Sequence, residues 1–527
     1  MTNLARASAL LGAISSAGCR EVVVCGGSRN APLLAALAAR EDFRVWNFFE
    51  ERSAAFFAVG RIRATGDPVA VVTTSGTAAA ELLPAAIEAH YSGDPLVLVT
   101  ADRPPRHRGT GAPQAIEQAG LFGAYVEASV DLAPGGEIGR ICWSGTRPIH
   151  LNIGFDEPLL DGDPAPAEGP PMDIERVALP DPEGAALEIS SFLERASRPL
   201  ILVGGLPERE REACRNFAIL VGAPLYAEPL SGLREDPLLE SLTLRSGEAI
   251  LRRGGFDAVL RVGSVPAVRY WRDLDETLTS TPALSASSLP FSGLGRGAHL
   301  RCDLAATLPL VRVAPRPDRE IHRLDRVLAG RLRELFAKEK RSEPAIVRAL
   351  SEWIPEGSLV YLGNSLPIRE WDLFATRRRT FAYAANRGAN GIDGQISTFL
   401  GMASETRENW CVVGDLTALY DLSSPWVLAQ MPESAPIRIV VVNNGGGRIF
   451  SRVPSLRAVP AAERERLFEN PHAIGFDQWA AMWDLDHFNR IRPRRPLSSR
   501  SVIELRPEAE ATSRFLERYD ALMKGEP

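Results

Sequence analysis

The sequence predicts an α/β protein built from three open parallel sheets. Short runs of β-branched residues alternate with amphipathic helical segments, which is typical of a doubly wound sheet. The 527 residues are too many for one hydrophobic core. One proline-rich stretch and one charged stretch also divide the chain into thirds. We therefore predict domains at residues 1–180, 181–340 and 341–527.

The elements follow in the same order along the chain. In the first third, the predicted strands are REVVVCGG, FRVWNFF, PVAVVTTSG and DPLVLVTAD, with helical segments between them. The linker candidate is DGDPAPAEGPPMDIERVALPDPEG, and the middle third has strands in RPLILVGG, FDAVLRVG and HLRCDL. The charged helix DREIHRLDRVLAGRLRELFAKEKRSEP leads to the last third, which has strands in SLVYLGN, TFAYAAN, NWCVVGD and IRIVVVNN.

Composition excludes several classes of protein. The chain is 45% hydrophobic and 24% charged, as in ordinary globular proteins. Its formal charge of −6 argues against a nucleic-acid partner, and its apolar runs are too short to predict a membrane span. Six scattered cysteines and seven unpaired histidines argue against zinc sites, disulfides and a Ser-His-Asp triad. We interpret the amino terminus as a helix of a cytoplasmic protein.

Asp415 and Asn444 each follow a valine-rich strand, in VVGDLTALYDL and VVVNNGGGRIF. They are separated by about one βαβ crossover, so neighbouring parallel strands would bring them together. Taken alone, the aspartate is more often a helix cap and the asparagines more often a turn. Together with the glycines, they predict a site for Mg²⁺ and a diphosphate. This pattern resembles that of thiamine diphosphate enzymes, although Leu416 stands where the last glycine of GDG is usual.

Glu51 is the candidate for the carboxylate that activates such a cofactor. It follows the strand FRVWNFF and opens an amphipathic helix. The alternative is that it only stabilises the helix dipole, for which Glu50 is equally suited. The metal and diphosphate pattern downstream favours the catalytic role.

Longer strings resemble one family, the 2-succinyl-5-enolpyruvyl-6-hydroxy-3-cyclohexene-1-carboxylate synthases of menaquinone biosynthesis. These strings are GGSRNAPL, FFEERSAAFFAVG, TTSGTAAAELLPA, TADRPPRHRGTGAPQAIEQ, LGNSLPIREWD, NRGANGIDGQIST, VVGDLTALYDL and VNNGGGRIF. They cover nearly the whole chain in family order, and GDL in place of GDG is usual in this family.

The resemblance implies a fold of the thiamine diphosphate-binding type. Its three domains would be an N-terminal pyrimidine-binding domain, a central Rossmann-like domain and a C-terminal diphosphate-binding domain. The implied transferase reaction decarboxylates 2-oxoglutarate and adds the succinyl group to isochorismate. The resemblance also implies a homodimer or homotetramer whose active sites lie at the subunit interface.

The resemblance also assigns site residues. For isochorismate they are Ser28, Arg29, Arg103 and Gln114, and for 2-oxoglutarate they are Ser365, Arg369 and Arg387. Arginine suits these anionic substrates because its planar group pairs bidentately with carboxylates. For the cofactor they are Glu51, Asn390, Ile392, Gly414, Asp415, Leu416, Asn444, Ile449 and Phe450. Asp415, Asn444 and the carbonyl of Gly446 would bind Mg²⁺ or Mn²⁺.

Three features depart from the family. The middle-domain string GSVPAVR has Val268 where relatives commonly have a lysine that reaches isochorismate, so either Arg269 replaces that lysine or the contact is absent. Asn390 stands where some relatives have serine. The stretch NRIRPRRPLSSRS is about ten residues shorter than expected, which predicts the loss of a peripheral helix.

Two other functions are compatible with parts of this pattern. One is another thiamine diphosphate-dependent decarboxylase or carboligase, such as an acetohydroxyacid synthase-like enzyme. Such an enzyme would not need the four substrate-binding arginines, which are Arg29, Arg103, Arg369 and Arg387. The other is a non-catalytic binding protein of the same fold. The presence of Glu51, Asp415 and Asn444 argues against the second.

Overall fold

The computed structural model describes the chain except residues 167–168, 170, 176–177, 493–495 and 526–527, and at Pro454 and Arg457 it describes the backbone alone. The chain forms two compact units. The first comprises Met1–Val177, Asn386–Glu405 and Thr417–Ala435, and the second comprises Ala178–Ala385, Thr406–Leu416 and Pro436–Pro527. In the described part of the chain, no helix has the length and apolar composition that crossing a membrane requires. The domain boundaries near 180 and 340 stay predictions.

The first third of the chain alternates strands and helices as predicted. Its strands are β1 (Glu21–Cys25), β2 (Arg44–Phe48), β3 (Val69–Thr73), β4 (Leu96–Asp102), β5 (Ser129–Leu132), β6 (Ile141–Trp143), β7 (Ile149–Gly154) and β8 (Met172–Ile174). Its helices are α1 (Asn3–Ser16), α2 (Ala31–Ala38), α3 (Glu51–Thr65), α4 (Thr77–Ala80) and α5 (Leu83–Ser92).

Six of these strands form a parallel sheet in the order β2-β1-β3-β4-β7-β5. β3 and β4 are buried along their whole length, as expected for central strands of a sheet covered on both faces. The strand order reverses between β1 and β3, so their carboxyl ends mark the crevice where open α/β sheets bind ligands. The two loops there touch, since a Cβ added to Gly27 would lie 2.6 Å from the Thr74 side chain.

The segment predicted as a linker contains structure that its composition does not indicate. Strand β8 lies within it and pairs with β6 in a separate two-stranded sheet. The Met172 side chain of β8 is buried in the same hydrophobic core as residues of α1. The remaining part of this segment includes residues 167–168, 170 and 176–177, which lie outside the described residues.

The middle of the chain forms a second parallel sheet in the order β10-β9-β11-β12-β13. Its strands are β9 (Pro199–Val203), β10 (Leu225–Ala227), β11 (Ala258–Val262), β12 (Ala283–Ser287) and β13 (Ala298–Arg301). The helices of this region are α6 (Pro182–Arg195), α7 (Glu208–Val221), α8 (Glu248–Arg253), α9 (Arg269–Glu276), α10 (Leu304–Thr307) and α11 (Arg319–Lys338). Helix α11 is the predicted charged helix, and it buries an apolar stripe that includes Leu328, Leu332 and Leu335.

The third sheet has the order β15-β14-β16-β17-β19-β18, with the reversal between β14 and β16. Its strands are β14 (Leu359–Leu362), β15 (Ala382–Ala384), β16 (Asn409–Gly414), β17 (Ile437–Val442), β18 (Asp486–Phe488) and β19 (Arg500–Leu505). The helices are α12 (Glu343–Trp353), α13 (Leu366–Phe374), α14 (Gln395–Met402), α15 (Asp415–Tyr420), α16 (Ala461–Arg464), α17 (Asp477–Met482) and α18 (Ala509–Lys524). The described residues between β18 and β19 contain no helix, and residues 493–495 of that stretch lie outside the description. The loss of a peripheral helix relative to the family stays a prediction.

All three sheets are parallel throughout their described pairings, so the predicted fold class is confirmed. The prediction worked because alternating β-branched runs and amphipathic helices leave few other ways to bury both faces of each sheet.

Within the first unit, α3 and α14 approach each other backbone to backbone. A Cβ added to Gly60 of α3 would lie 2.1 Å from the Thr398 carbonyl oxygen, and one added to Gly401 of α14 would lie 2.3 Å from the Phe57 carbonyl oxygen. The Thr398 hydroxyl also donates a hydrogen bond to the Phe56 carbonyl, at 3.1 Å. Only glycine fits at these two crossing positions.

We expect Gly60→Ala to destabilise the protein by ~1–3 kcal/mol, because its methyl group would overlap a backbone carbonyl that cannot rotate away. The matched control is Gly184→Ala in α6, where an added Cβ meets no atom within 4 Å. That variant should gain ~0.5–1 kcal/mol from the better helix propensity of alanine. Thermal unfolding midpoints measure both changes, and equal midpoints for the two variants would contradict the packing argument.

Candidate active site

The predicted site residues divide between the two units, and most follow the carboxyl ends of strands. The first unit contains Ser28, Arg29, Glu51, Arg103, Gln114, Arg387, Asn390 and Ile392. The second contains Ser365, Arg369, Gly414, Asp415, Leu416, Asn444, Gly446, Ile449 and Phe450.

Glu51 is the first residue of α3, but it is not the residue that caps the helix. The cap is Glu50, whose carboxylate accepts hydrogen bonds from the amides of Arg52 at 3.0 Å and Ser53 at 3.1 Å. Both glutamates are half-buried and line a cavity of about 420 Å³, but only Glu50 caps the helix. The two adjacent glutamates, which the sequence could not separate, therefore differ in their hydrogen bonds to the start of the helix.

The cavity beside Glu51 is polar. Its other lining residues are Glu50, Thr74, Ser75, Thr77, Ala78, Glu81 and Gln114. Burial raises the pKa of Glu51, and the negative charges of Glu50 and Glu81 raise it further, whereas its own backbone amide lowers it. A carboxyl group with a raised pKa exchanges protons more readily near neutral pH.

Arg29 and Arg103 bring two positive charges together beside the same sheet edge. Arg29 is 9% exposed, and its guanidinium donates a hydrogen bond to the Phe155 carbonyl at 3.0 Å. Burial and the charge of Arg103 lower the pKa of Arg29, although Glu157 opposes this effect from 3.4 Å. The buried Nε of Arg103 has no hydrogen-bond partner among the described residues. An anion bound here would relieve both effects.

Three predicted site residues adopt a left-handed backbone that is uncommon outside glycine. The φ angles are 55° at Gln114, 70° at Ser365 and 61° at Asn390. Such strained positions persist where surrounding structure holds them, and they concentrate at functional sites. The Arg369 guanidinium of α13 donates to the Ser365 carbonyl at 2.5 Å, so these two predicted residues are neighbours.

The loop that carries Arg387 is held by a glutamate that sequence reasoning missed. The buried Glu88 of α5 accepts hydrogen bonds from the amides of Gly388 at 3.0 Å and Ala389 at 2.8 Å. Arg63 pairs with Glu88 at 3.0 Å and donates to the Asn386 side chain at 2.6 Å. No local sequence signal marks Glu88, because the contact joins residues about three hundred positions apart.

A second missed residue, Asp421, holds the segment that follows Asn390 and Ile392. Its fully buried carboxylate accepts hydrogen bonds from the amides of Gly394 at 2.7 Å and Ile396 at 2.9 Å. Burial raises the pKa of Asp421 to about 7, although these amides and Arg52 lower it. This contact fixes the start of α14 and thereby the half-buried Ile392.

In the second unit, the structure brings Asp415 to the glycine turn after β17, as the strand spacing predicts. β16 and β17 pair in parallel, with Gly414 opposite Val442. The carboxylate of Asp415 accepts hydrogen bonds from the amides of Gly445 at 2.8 Å, Gly446 at 3.0 Å and Leu416 at 2.7 Å. Burial raises the pKa of Asp415, and these amides lower it.

Asn444 is oriented by Glu343, another residue that the sequence did not single out. The Asn444 Nδ2 donates to both carboxylate oxygens of Glu343, at 3.0 and 3.1 Å. Burial and the nearby Glu370 raise the pKa of Glu343 to about 8, and Glu370 in turn accepts from Arg452 at 2.7 Å. In the sequence, Glu343 looks like an ordinary acidic residue in the first turn of a helix.

The donor set in this turn fits a divalent cation. The Asn444 Oδ1 is buried and has no hydrogen-bond partner among the described residues. Gly446 has a φ of 135°, and a Cβ there would lie 2.4 Å from the Glu469 carbonyl, so the turn requires glycine. Carboxylate, amide and carbonyl oxygens suit Mg²⁺ or Mn²⁺, which complete their shells with phosphate oxygens. No group of three or more His, Cys, Asp or Glu suited to a metal occurs in the described part of the chain.

The residues after this turn provide apolar surface. Ile449 and Phe450 are half-buried in the short 3-10 helix Arg448–Arg452. The Phe450 ring lies 3.1 Å from where a Cβ of Gly447 would be, and its centroid is 6.0 Å from that of Phe468.

Val268 stands where the family resemblance predicts a lysine, and this difference has a structural consequence. Val268 is buried and precedes α9, so it offers no charge to a ligand. The Arg269 guanidinium pairs with Asp273 at 3.0 Å and Glu276 at 3.2 Å on its own helix. Arg269 is therefore already paired with two carboxylates, and no contact among the described residues of the second unit assigns it the role of the missing lysine.

The chain is similar to known proteins along its length. Residues 5–121 match the family model described as the thiamine pyrophosphate enzyme N-terminal TPP binding domain. A 2-succinyl-5-enolpyruvyl-6-hydroxy-3-cyclohexene-1-carboxylate synthase from Bdellovibrio bacteriovorus is 43% identical, over 99% of this chain and 100% of the relative. The synthase of that name from Akkermansia muciniphila is 39% identical, over 94% of this chain and 95% of the relative.

A solved structure shares the fold at low identity. It is the X-ray structure of an enzyme from Mycobacterium smegmatis that has been assigned to the thiamin diphosphate-dependent class. The TM-score is 0.66 at 18% identity, and the match covers 96% of this chain and 99% of the other.

We expect Glu343→Leu to weaken Mn²⁺ binding in the presence of thiamine diphosphate by about 10- to 100-fold, the usual effect of removing a residue that orients a metal ligand. The leucine leaves the Asn444 Nδ2 without its acceptor, so the amide is free to rotate. Titration followed by electron paramagnetic resonance measures the free Mn²⁺. Glu343→Gln keeps one acceptor oxygen and should lose much less affinity. Equal losses in two folded variants would contradict the orienting role.

Proposed function

The chain belongs to the family of 2-succinyl-5-enolpyruvyl-6-hydroxy-3-cyclohexene-1-carboxylate synthases, and from this membership we propose that it acts on 2-oxoglutarate and isochorismate in menaquinone biosynthesis. The reaction releases CO₂ from 2-oxoglutarate and joins the remaining succinyl group to the isochorismate ring. When bound, thiamine diphosphate supplies the nucleophilic carbon and the electron sink for this decarboxylation.

The observation that carries the proposal is the pair of under-compensated arginines, Arg29 and Arg103, beside the crevice of the first sheet. Their mutual repulsion and the unpartnered Nε of Arg103 favour a ligand with carboxylate groups. Isochorismate is such a ligand. We assign Ser28 and Gln114, which lie in the neighbouring loops, to the same substrate.

The second substrate needs its own cationic residues. We assign Arg369, Arg387 and Ser365 to 2-oxoglutarate, with the two guanidinium groups pairing with its distal carboxylate. Glu88 holds the Arg387 loop through two backbone amides, and this limits the entropy lost when the substrate binds.

Glu51 and the glycine turn would act on opposite ends of the cofactor. We propose that Glu51 holds a proton beside the pyrimidine ring, which its raised pKa favours. Asp415, the Oδ1 of Asn444 and the carbonyl of Gly446 would bind Mg²⁺ or Mn²⁺ at the diphosphate. Asn390, Ile392, Gly414, Leu416, Ile449 and Phe450 would surround the rest of the cofactor.

The direct test is an assay of the purified protein with thiamine diphosphate and Mg²⁺. We expect isochorismate to be consumed only when 2-oxoglutarate is present, with one CO₂ released for each isochorismate consumed. Release of CO₂ without isochorismate consumption would instead support another decarboxylase or carboligase of this superfamily.

Glu51→Gln should lower the turnover rate by at least ~100-fold, the scale of a general acid-base contribution, while thiamine diphosphate still binds. The amide keeps the shape of the side chain but cannot exchange the proton. Steady-state kinetics measure the rate, and calorimetry with the cofactor measures binding. The control is Glu50→Gln, which changes the neighbouring helix cap and should keep most of the activity. Near-normal turnover of Glu51→Gln would refute the assigned role.

The same variant tests the assembly. We propose a homodimer or homotetramer in which Glu51 of one subunit and the diphosphate-binding residues of another complete each site. Mixing inactive Glu51→Gln with inactive Asp415→Ala, followed by subunit exchange, should then restore part of the activity, because some mixed sites contain both native residues. No recovery despite exchange would exclude shared sites.

Arg387→Ala should raise the KM for 2-oxoglutarate by at least ~10-fold, since it removes one charge-assisted pair of ~1.5–3 kcal/mol. Affinity for thiamine diphosphate should change little. Kinetics at varied 2-oxoglutarate and calorimetry with the cofactor separate the two effects, and Arg407→Ala in the exposed turn before β16 is the control. Equal losses for substrate and cofactor would count against the assignment.

A further inference from the structure

The second unit contains a large cavity that none of the assigned roles uses. Its volume is about 910 Å³, within the range of sites for small organic ligands. Its walls come from α11, from the segment 234–245 and from the residues that follow α13. No residue assigned above to substrate, cofactor or metal lines it.

The cavity is rich in arginine. Seven arginines and five carboxylates line it, together with His322 and the apolar side chains of Leu332, Phe336 and Leu373. A surface with this many charges is ordinarily a mixed network in which opposite charges neutralise each other. Here the pairing is unequal.

All five carboxylates already have partners. Glu235 pairs with Arg234, and Glu240 with Arg245 at 2.7 Å. Asp236 accepts from Arg215, which is outside the cavity, at 2.5 Å. The remaining two are satisfied by amides and hydroxyls: Asp325 accepts from the backbone of Arg245 and Ser246 and from the Ser246 hydroxyl, and Glu356 accepts from Thr380.

Four lining arginines have no such partner. The guanidinium groups of Arg326, Arg333, Arg377 and Arg378 form no ion pair or hydrogen bond with any residue that the structure describes. Arg326, Arg333 and Arg378 are exposed, whereas Arg377 is half-buried. The Nη1 of Arg377 is buried as well as unpartnered. Burial and the charge of Arg234 lower the pKa of Arg377 to about 10. Leaving a buried guanidinium unpaired is unfavourable unless something else supplies the negative charge.

We propose that this cavity binds a small organic polyanion, with two or more carboxylate or phosphate groups on an aromatic or apolar body. The four unpaired guanidinium groups would pair with the acidic groups, because each presents a planar set of donors that matches carboxylate or phosphate oxygens. The apolar wall of Leu332, Phe336 and Leu373 would contact the body of the ligand. A site of this volume accommodates a small molecule of this kind.

The ligand would also act on a helix that carries candidate substrate residues. Arg234, which is 3% exposed, donates to the carbonyls of Trp371, Asp372, Ala375 and Thr376 at the end of α13. Ser365 immediately precedes α13, and Arg369 lies within this helix. An anion bound beside Arg234 would therefore compete with these carbonyls for the Arg234 guanidinium, which holds the end of α13. This effector role rests on the proposed function, whereas the binding site does not.

The experiment is calorimetry on the protein loaded with thiamine diphosphate and Mg²⁺. The probes are trimesate as a carboxylate, phenyl phosphate as a phosphate and benzyl alcohol as an uncharged control. We expect at least one of the two anions to bind and benzyl alcohol not to bind. The double variant Arg326→Gln/Arg333→Gln should weaken that binding at least ~10-fold, because it removes two charge-assisted contacts.

The matched control is the double variant Arg323→Gln/Arg331→Gln. These arginines are exposed on the same helix but do not line the cavity, so the variant removes equal charge from α11. Equal loss in both double variants, or no binding of either anion, would overturn the site. A change in the KM for 2-oxoglutarate when the anion is bound supports the effector role. Binding with an unchanged KM keeps the site and overturns that role.

Discussion

The carboxylate of Asp415 accepts hydrogen bonds from the amides of Gly445 and Gly446, and the candidate site of the second unit depends on this junction. It exists because β16 and β17 are parallel neighbours, so their carboxyl ends meet at one edge of the sheet. The junction places the turn beside Asn444, whose Oδ1 stays unpartnered while Glu343 holds its amide nitrogen. A change in strand register would separate these groups.

Both units bury charged side chains, and these side chains are paired with backbone amides, backbone carbonyls or opposite charges. Glu88 and Asp421 in the first unit each accept two backbone amides, and each fixes a loop next to predicted site residues. Arg234 in the second unit is buried and satisfied mainly by carbonyls at the end of α13. Such groups are expensive to bury unpaired, so they restrict the loops to one conformation.

Much of the fold followed from local pattern. The strands around Val22, Val71 and Val440 were predictable because a continuous β-branched run between helices has few alternatives in a parallel sheet. The linker prediction was less successful. The prolines and acidic residues of that segment gave no sign of β8, which pairs with β6, a strand about thirty residues earlier in the chain. Arg269 also shows the limit of motif reading, because its carboxylate partners on α9 were visible in the sequence but their geometry was not.

The sequence by itself determined the fold class, the family and the candidate residues, because these depend on residue type, order and spacing. It also indicated that Asp415 and Asn444 would meet, since parallel strands align their ends. Only the tertiary structure decided which of the adjacent glutamates caps α3, that Glu343 orients Asn444, and that Glu88 holds the Arg387 loop. The arginine-lined cavity also emerged only from the fold. The physical reason is that burial and hydrogen bonding between distant segments set the charge state and direction of a side chain, and no local pattern records those contacts.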